Sequence, residues 1–378
     1  MKILFAIDAF QSHKNGTSIS AQRYAETLRK MGHEVRVITN AEPPYPDYIY
    51  ALKELKTPFK PILDANGFQY SVPNKAIINQ ALDWCDVVHV YTPFFLGCKI
   101  KKMAKSRGKA LTAAFHIQAE NISSAFHLGK VEWINRMLYR IHYKTMYKGV
   151  QHIHCPSQMM ADELKHYGFD NQLHVISNGI SNDFVYYRPA DEDQYPDKFV
   201  ITMVGRLSPE KRQDLVIKAV KMSKYEKNIQ LLFAGTGPME KCYRRLGKDL
   251  TNPPIFGYYS REELIELLHK THLYVHASDM ESEAISCIEA FATGLVPIIS
   301  NSALSATKQF ALDDRSLFEV GNAEDLKNRI EYWIEHPEER KEMEIKYAQE
   351  AKKYRLTEVI RDFESMLKDA MVCQSKAQ

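Results

Sequence analysis

Lys2 to Ala9 carries apolar side chains at nearly every position (Ile3, Leu4, Phe5, Ala6, Ile7) before Asp8. A strand without alternation of apolar and polar residues must be covered on both faces, as in a parallel sheet flanked by helices. A loop with Asn15-Gly16-Thr17-Ser18 follows. Helical spacing then runs from Ile19 to Met31, Gly32 stops it, and Glu34 to Thr39 reads as a second strand. This is one βαβ unit. Its loop lies where a helix amino terminus can meet a phosphate, with Gly16 permitting close approach or serving as a plain turn glycine.

The pattern repeats. Asp86 to Tyr91 and Ala110 to Phe115 read as strands, the latter delivering His116, and a basic helix with Lys99, Lys101, Lys102, Lys105 and Arg107 lies between them. Gln151 to Cys155 and Leu173 to Ile176 read as two more strands, with a helix starting at Gln158. His152 and His154 share a face of their strand, but no third ligand stands at useful spacing, so no metal is expected there. Residues 41 to 75 read as irregular, with six prolines and with Lys53, Lys56 and Lys60 among Leu52, Leu55 and Phe59. They suit a membrane surface, a cover over an acceptor, or a variable excursion. Val131 to Tyr147 reads as one long helix with Arg136, Arg140, Lys144 and Lys148 four apart and Trp133 beside them. It fits an anionic bilayer interface, or a domain helix with a solvated basic stripe.

The 378 residues suffice for two domains. Residues 181 to 198 are polar and acidic, a linker by composition, and Asp191-Glu192-Asp193 sits within them. That D-x-D pattern is discounted because it lies in a charged linker and not at a strand end. Phe199 to Val204, Ile229 to Ala234 and Leu273 to Ala277 read as strands of a second sheet. After the first comes Gly205-Arg206-Leu207-Ser208-Pro209-Glu210-Lys211, where Ser208 reads as an N-cap and Pro209 as the first helical residue. A helix end, Arg206 and Lys211 would converge there on a diphosphate.

The run Asp279 to Gly294 places Glu281 before a helix and Glu289 about a turn inside it. Both carboxylates can accept bonds from sugar hydroxyls at the carboxyl end of a parallel sheet, one from a transferred sugar and one from a ribose. Helical patterns at 325–334, 338–354 and 357–371 close the chain.

Several function classes are set aside by composition. A net charge of +3 does not point to nucleic acid. Six scattered cysteines without a C-x-x-C pair indicate a reducing compartment. The apolar start meets Asp8 too early for a signal peptide, and no run approaches the ~20 residues that span a bilayer. Any membrane contact is then expected to be peripheral, on the inner face of the cell membrane.

The E-x7-E run resembles the signature of retaining glycosyltransferases of family 4. Gly205 to Arg212 is similar to that family's diphosphate loop, and Gly235-Thr236-Gly237-Pro238 to its G-x-G-P turn. The resemblance covers nearly the whole chain and is densest from Phe199 to Ile299. It implies a GT-B fold, with two Rossmann-like doubly wound parallel-sheet domains facing a central cleft. The boundaries would be an acceptor-binding domain 1–180, a linker 181–198, a nucleotide-sugar domain 199–355, and a helix 356–378 returning to the first domain.

By the same resemblance, Glu281 contacts the sugar, Glu289 the ribose, and Arg206 and Lys211 the diphosphate. Ala284, Ile285 and Ser286 line the donor, and Gly16, Gly235, Gly237 and the Tyr258 loop lie near it. His116 stands beside the sugar, with Gln118, Glu120 and Asn121 facing the acceptor. The family usually has a double glycine where this chain has Gly16 alone. The implied reaction moves glucose or galactose from a nucleotide-diphosphate sugar to a lipid hydroxyl of a diacylglycerol or ceramide. UDP is the first choice of nucleotide and GDP the second, and no cofactor or metal is expected. The competing readings are extension of a capsule, exopolysaccharide or lipopolysaccharide glycan, a sugar-nucleotide epimerase, and a non-catalytic nucleotide-sugar-binding protein.

Overall fold

The computed structural model describes residues 1–12, 16–57, 69–124, 131–187, 195 and 197–376. Its contacts divide the chain into two compact units. One is Met1–Gly179 joined by the segment from Leu356 onward, and the other is Ile180–Arg355.

The first unit holds strands β1 (Lys2–Ala6), β2 (Glu34–Asn40), β3 (Ile49–Leu52), β4 (Val87–Val90), β5 (Ala110–Ala114), β6 (His152–Cys155) and β7 (Gln172–Val175). All pair in parallel, in the order β3-β2-β1-β4-β5-β6-β7. Its helices are α1 (Gly16–Lys30), α2 (Lys75–Trp84), α3 (Phe95–Ser106), α4 (Ala119–Ser124), α5 (Glu132–His142) and α6 (Gln158–His166). The apolar run of β1 is accounted for directly. Leu4 and Ala6 pack with Ile78, Leu82, Leu96 and Ile100 of α2 and α3. Ile3 and Phe5 face the other way, onto Ala21, Tyr24 and Leu28 of α1 and onto Ile360, Phe363 and Leu367 of the last helix.

Three local readings are corrected. The stretch 41–75 is not wholly irregular, because β3 extends the sheet beside β2, with Val37 opposite Ile49 and Asn40 opposite Leu52. Four residues at a sheet edge, preceded by prolines, carry too little periodicity to be seen locally. Gly16 belongs to the first turn of α1 and not to the preceding loop, and a Cβ there would meet nothing within 4 Å. The long helix at 131–147 is α-helical only to His142 and continues as a π-helical turn, Tyr143–Tyr147. The Pro- and Lys-rich stretch 58–68 and the Asp191-Glu192-Asp193 pattern lie outside the described residues.

The second unit holds β8 (Phe199–Val204), β9 (Ile229–Ala234), β10 (Ile255–Gly257), β11 (Leu273–His276), β12 (Pro297–Ser300) and β13 (Leu317–Phe318). They are again all parallel, ordered β10-β9-β8-β11-β12-β13. Strand order therefore reverses between β8 and β11, which makes the loops after these two strands neighbours at the switch point. The helices are α7 (Gln213–Met222), α8 (Glu240–Gly247), α9 (Arg261–His269), α10 (Ile285–Ala292), α11 (Ala323–Glu335) and α12 (Pro337–Glu350). Residues 181–187, polar enough to read as linker, belong to this unit. Phe184 is buried in its core, and Arg261 bonds both Ser181 and Asp183. Helix α13 (Leu356–Lys376) returns to the first unit and places Phe363 against Tyr24, with ring centroids 4.8 Å apart.

Beneath α13, three histidines of the first unit lie close together. His154 is 5.9 Å from His89 and 5.1 Å from His116, ring centre to ring centre. Burial holds all three below the usual histidine range, reinforced at His89 and His116 by neighbouring histidine charge, and His154 is lowered to about 4. A depressed histidine pKa means that the unfolded chain binds protons below about pH 6.5 which the folded chain refuses. Each such group removes up to about 1.4 kcal/mol of stability per pH unit. Urea midpoints of the first unit are therefore expected to fall steeply from pH 6.5 to 4.5. Midpoints that stay level across that interval would contradict the cluster's neutrality.

Candidate active site

The loop after β8 is built around two residues in unusual backbone conformations. Gly205 has φ 151° and Arg212 has φ 60°. Between them Pro209–Lys211 form one 3₁₀ turn, and the left-handed Arg212 separates it from α7. Ser208 and Pro209 thus stand as cap position and first residue of this 3₁₀ turn, and the α-helix itself starts only at Gln213. Ser208 makes no cap bond to the backbone, and its hydroxyl instead donates to Glu210. Arg206 pairs with the same carboxylate, Nη2 to Oε1 at 2.8 Å. Burial would raise the Glu210 carboxyl, but Ser208 and Arg206 together hold it below its ordinary value.

The glycine turn after β9 packs on this loop. Leu207 N donates to Thr236 O at 3.0 Å, and Met239 N to Leu207 O at 3.0 Å. There is no room for side chains here. A Cβ on Gly235, whose φ is 152°, would stand 2.1 Å from Gly205 O, and one on Gly237 would stand 2.3 Å from Leu207 O. Gly235→Ala combines strain with overpacking and is expected to destabilise the second unit by about 2–6 kcal/mol. Chemical denaturation reads the shift, and an unchanged midpoint would show that the turn relaxes freely.

The loop after β11 carries Glu281, whose backbone is held on both sides. Its N–H donates to Leu304 O at 3.2 Å and its carbonyl accepts from Ala306 N at 2.9 Å. The Glu281 side chain, 12% exposed, forms an ion pair with Lys211. It also accepts from His276 Nε2 at 3.1 Å on the same oxygen, Oε1. Burial pushes this carboxyl up, yet Lys211 and His276 together outweigh burial and hold it far below the usual range. Arg212 ties the two loops a second time, Nη1 to Asp279 at 3.1 Å. The structure therefore brings Lys211 and Glu281 into contact, with Arg206 on the same loop as Lys211.

Helix α10 begins after Ala284, which is left-handed at φ 68°. Ile285 and Ser286 open the helix, and Ser286 Oγ lies 3.3 Å from both Val204 O and Tyr274 Oη. Glu289 is the fifth helical residue and is 6% exposed, so it is not a solvated surface carboxylate. Tyr258 precedes α9 and is exposed, while Ser260 caps that helix in a reciprocal box with Glu263.

In the first unit, His116 lies just past β5, 7% exposed and stacked on Tyr91 with an 11° interplanar angle. The segment after it is the short helix α4 rather than a loop. Gln118 is fully buried and donates to Glu163 at 3.1 Å, and Glu120, 5% exposed, accepts from Tyr139 Oη at 2.9 Å. These two side chains are engaged inside the unit, and Asn121 is half-buried. Sequence reasoning passed over His276, Tyr274, Glu210 and Arg212. The available signal was a histidine ending the otherwise apolar run Leu273-Tyr274-Val275-His276, five residues before Glu281.

Two Rossmann-like parallel-sheet units, one with a cation–carboxylate pair at its switch point, define the GT-B class of nucleotide-sugar-dependent enzymes. Residues 14–184 match the family model described as Glycosyltransferase Family 4, and residues 188–351 match that of Glycosyl transferases group 1. The chain belongs to these glycosyltransferases and transfers a sugar from a nucleotide-sugar donor to an acceptor. It is 23% identical over 323 residues to a GDP-mannose-dependent alpha-mannosyltransferase of Mycolicibacterium smegmatis, covering 80% of each chain. It is 49% identical to the catalytic domain of cholesterol-alpha-glucosyltransferase from Helicobacter pylori over 41% of this chain and 99% of that one, with a TM-score of 0.38. Anabaena Alr3699/HepE in complex with UDP-glucose superposes with a TM-score of 0.75 at 16% identity, covering 98% of this chain and 100% of that one.

Proposed function

We propose that the protein is a retaining hexosyltransferase that moves glucose or galactose from a UDP-sugar to a lipid hydroxyl at a membrane surface. The observation that carries the reading is the Lys211–Glu281 pair, with Arg206 on the same loop as Lys211 and paired with Glu210. A fixed cation beside a carboxylate suits a sugar diphosphate, whose phosphates need positive charge and whose hydroxyls need an acceptor. As the glycosidic bond breaks, negative charge develops on the leaving diphosphate. Lys211 and Arg206 then stabilise the transition state more than the ground state. Glu281 orients the sugar and Glu289 the ribose.

The lipid acceptor is supported by α5. Trp133 is 68% exposed, and Met137 and Ile141 are each 45% exposed. Arg136, Arg140, Lys144 and Lys148 are exposed around them, and Glu132, Trp133, Arg136, Met137 and Arg140 line a groove. An apolar stripe with a basic rim suits an anionic lipid surface. No helix among the described residues is long and apolar enough to cross a membrane.

The test offers radiolabelled UDP-glucose, UDP-galactose and GDP-mannose in turn, with vesicles containing diacylglycerol, ceramide or cholesterol. Label in the organic phase is the expected result, and it names donor and acceptor together. Label confined to the aqueous phase with every donor overturns the lipid reading and points to a glycan acceptor.

A further inference from the structure

We propose that His276 is a positioning residue for the reaction, holding Glu281 in place while Lys211 turns to the donor's diphosphate. The inference rests on the roles given above to Glu281 and Lys211. His276 ends β11 with no exposed surface, on a strand whose other three residues are buried and apolar or aromatic. A polar ring in such a place must spend its nitrogens on protein partners. Nε2 lies 3.1 Å from Glu281 Oε1, and Nδ1 lies 3.3 Å from Tyr274 Oη.

These partners select the tautomer. A carboxylate oxygen only accepts, so Nε2 carries the hydrogen, and Nδ1 is the bare nitrogen that faces the Tyr274 hydroxyl. Burial keeps the ring neutral despite the opposing pull of Glu281. Tyr274 is itself anchored near Ser286 at the start of α10, which reaches Val204 O at the end of β8. A chain of side chains thus runs from Lys211 through Glu281, His276, Tyr274 and Ser286 back to the strand that carries the cationic loop.

The chain answers a problem set by the ion pair. Lys211 and His276 both end on Oε1, which leaves Oε2 to accept from a sugar hydroxyl. Lys211 cannot give its full charge to Glu281 and to a diphosphate at once. When the diphosphate takes a share, the buried carboxylate needs a second donor that does not move, and His276 is that donor.

The experiment measures His276→Phe, His276→Gln and Glu281→Gln in the full chain. UDP affinity is read by calorimetry, and kcat and KM with UDP-glucose and GDP-mannose over vesicles of mixed lipid. The expected result for His276→Phe is a fall in kcat of tenfold or more with UDP affinity within twofold of wild type. His276→Gln, which restores an N–H near Nε2, should regain at least half of the loss on a logarithmic scale. Wild-type kcat in His276→Phe overturns the proposal. So does a parallel loss of UDP affinity and kcat, which marks a merely structural role. Should His276→Phe fail to fold, Tyr274→Phe decides. A threefold or larger fall in kcat at unchanged UDP affinity supports the relay, and unchanged kcat overturns it. Glu281→Gln separates the two readings: wild-type kcat there removes the sugar-contact role of Glu281. A crippled Glu281→Gln beside an unaffected His276→Phe removes only the positioning role.

Discussion

Lys211→Ala should lower kcat by about 10²–10³-fold, the usual consequence of deleting one preorganised charge donor at a developing anion. The loss should fall on kcat more than on KM, because leaving-group charge is greatest in the transition state. A second effect follows from the pairing. Lys211 and His276 jointly overcome the burial that raises the Glu281 carboxyl. Without Lys211 burial is less opposed and the carboxyl pKa moves up. Because the ionised form is the active one, the acid limb of the pH–rate profile should shift to higher pH. Lys211→Arg keeps the charge but not the compact ammonium, and should recover part of kcat while keeping the limb near its wild-type position. Activity of Lys211→Ala within threefold of wild type, with an unmoved acid limb, would remove Lys211 from the diphosphate site.

Neutralising Arg136, Arg140, Lys144 and Lys148 together to glutamine should weaken binding to anionic vesicles by about 10³-fold. The figure follows from ~1 kcal/mol per basic side chain near a negative surface, summed over four. The share of Arg136 is the smallest, because Glu132 already pairs with it at 2.9 Å. All four side chains are exposed, so the fold should be unaffected. Binding to neutral phosphatidylcholine vesicles should change little, and the wild-type advantage should shrink with added salt. Trp133 provides the reading, since its fluorescence shifts to the blue when the indole enters the interface. Unaltered binding to anionic vesicles would show that the basic stripe of α5 and the π-helical turn after it is only solvated surface. Turnover that falls with vesicle binding, at unchanged UDP affinity, would link this surface to the acceptor and not to the donor.

Legibility in the sequence varied with how local each feature is. Strands β8 and β9 were readable to the residue because each is a six-residue run with a single polar residue, Thr202 or Gln230, and a glycine directly after it. Strand β3 was not, because four residues between prolines and a polar turn owe their strand form to pairing with β2. That Arg206 and Lys211 lie on the loop after β8 and Glu281 on the loop after β11 was readable from the strand ends. The burial of Gln118 and Glu120 could not be found that way, since it depends on Glu163 and Tyr139 reaching them from α6 and α5. Ser208 carried a correct cap signal by residue type, but a left-handed Arg212 held by Asp214 and Asp279 redirects the chain and leaves its hydroxyl to Glu210.

The amino-acid sequence by itself determined two parallel sheets, the strand ends that bear the polar loops, and the residue types suited to a sugar diphosphate. These follow from apolar period and glycine placement, which act over a few residues. Only the tertiary structure decided that Lys211 meets Glu281, 70 positions away, and that His276 and Tyr274 stand behind the pair. That contact exists because β8 and β11 are neighbours, with Ile201 opposite Leu273. Strand pairing of this kind is selected by burial of both sheet faces at once, a property of the whole unit and not of any segment.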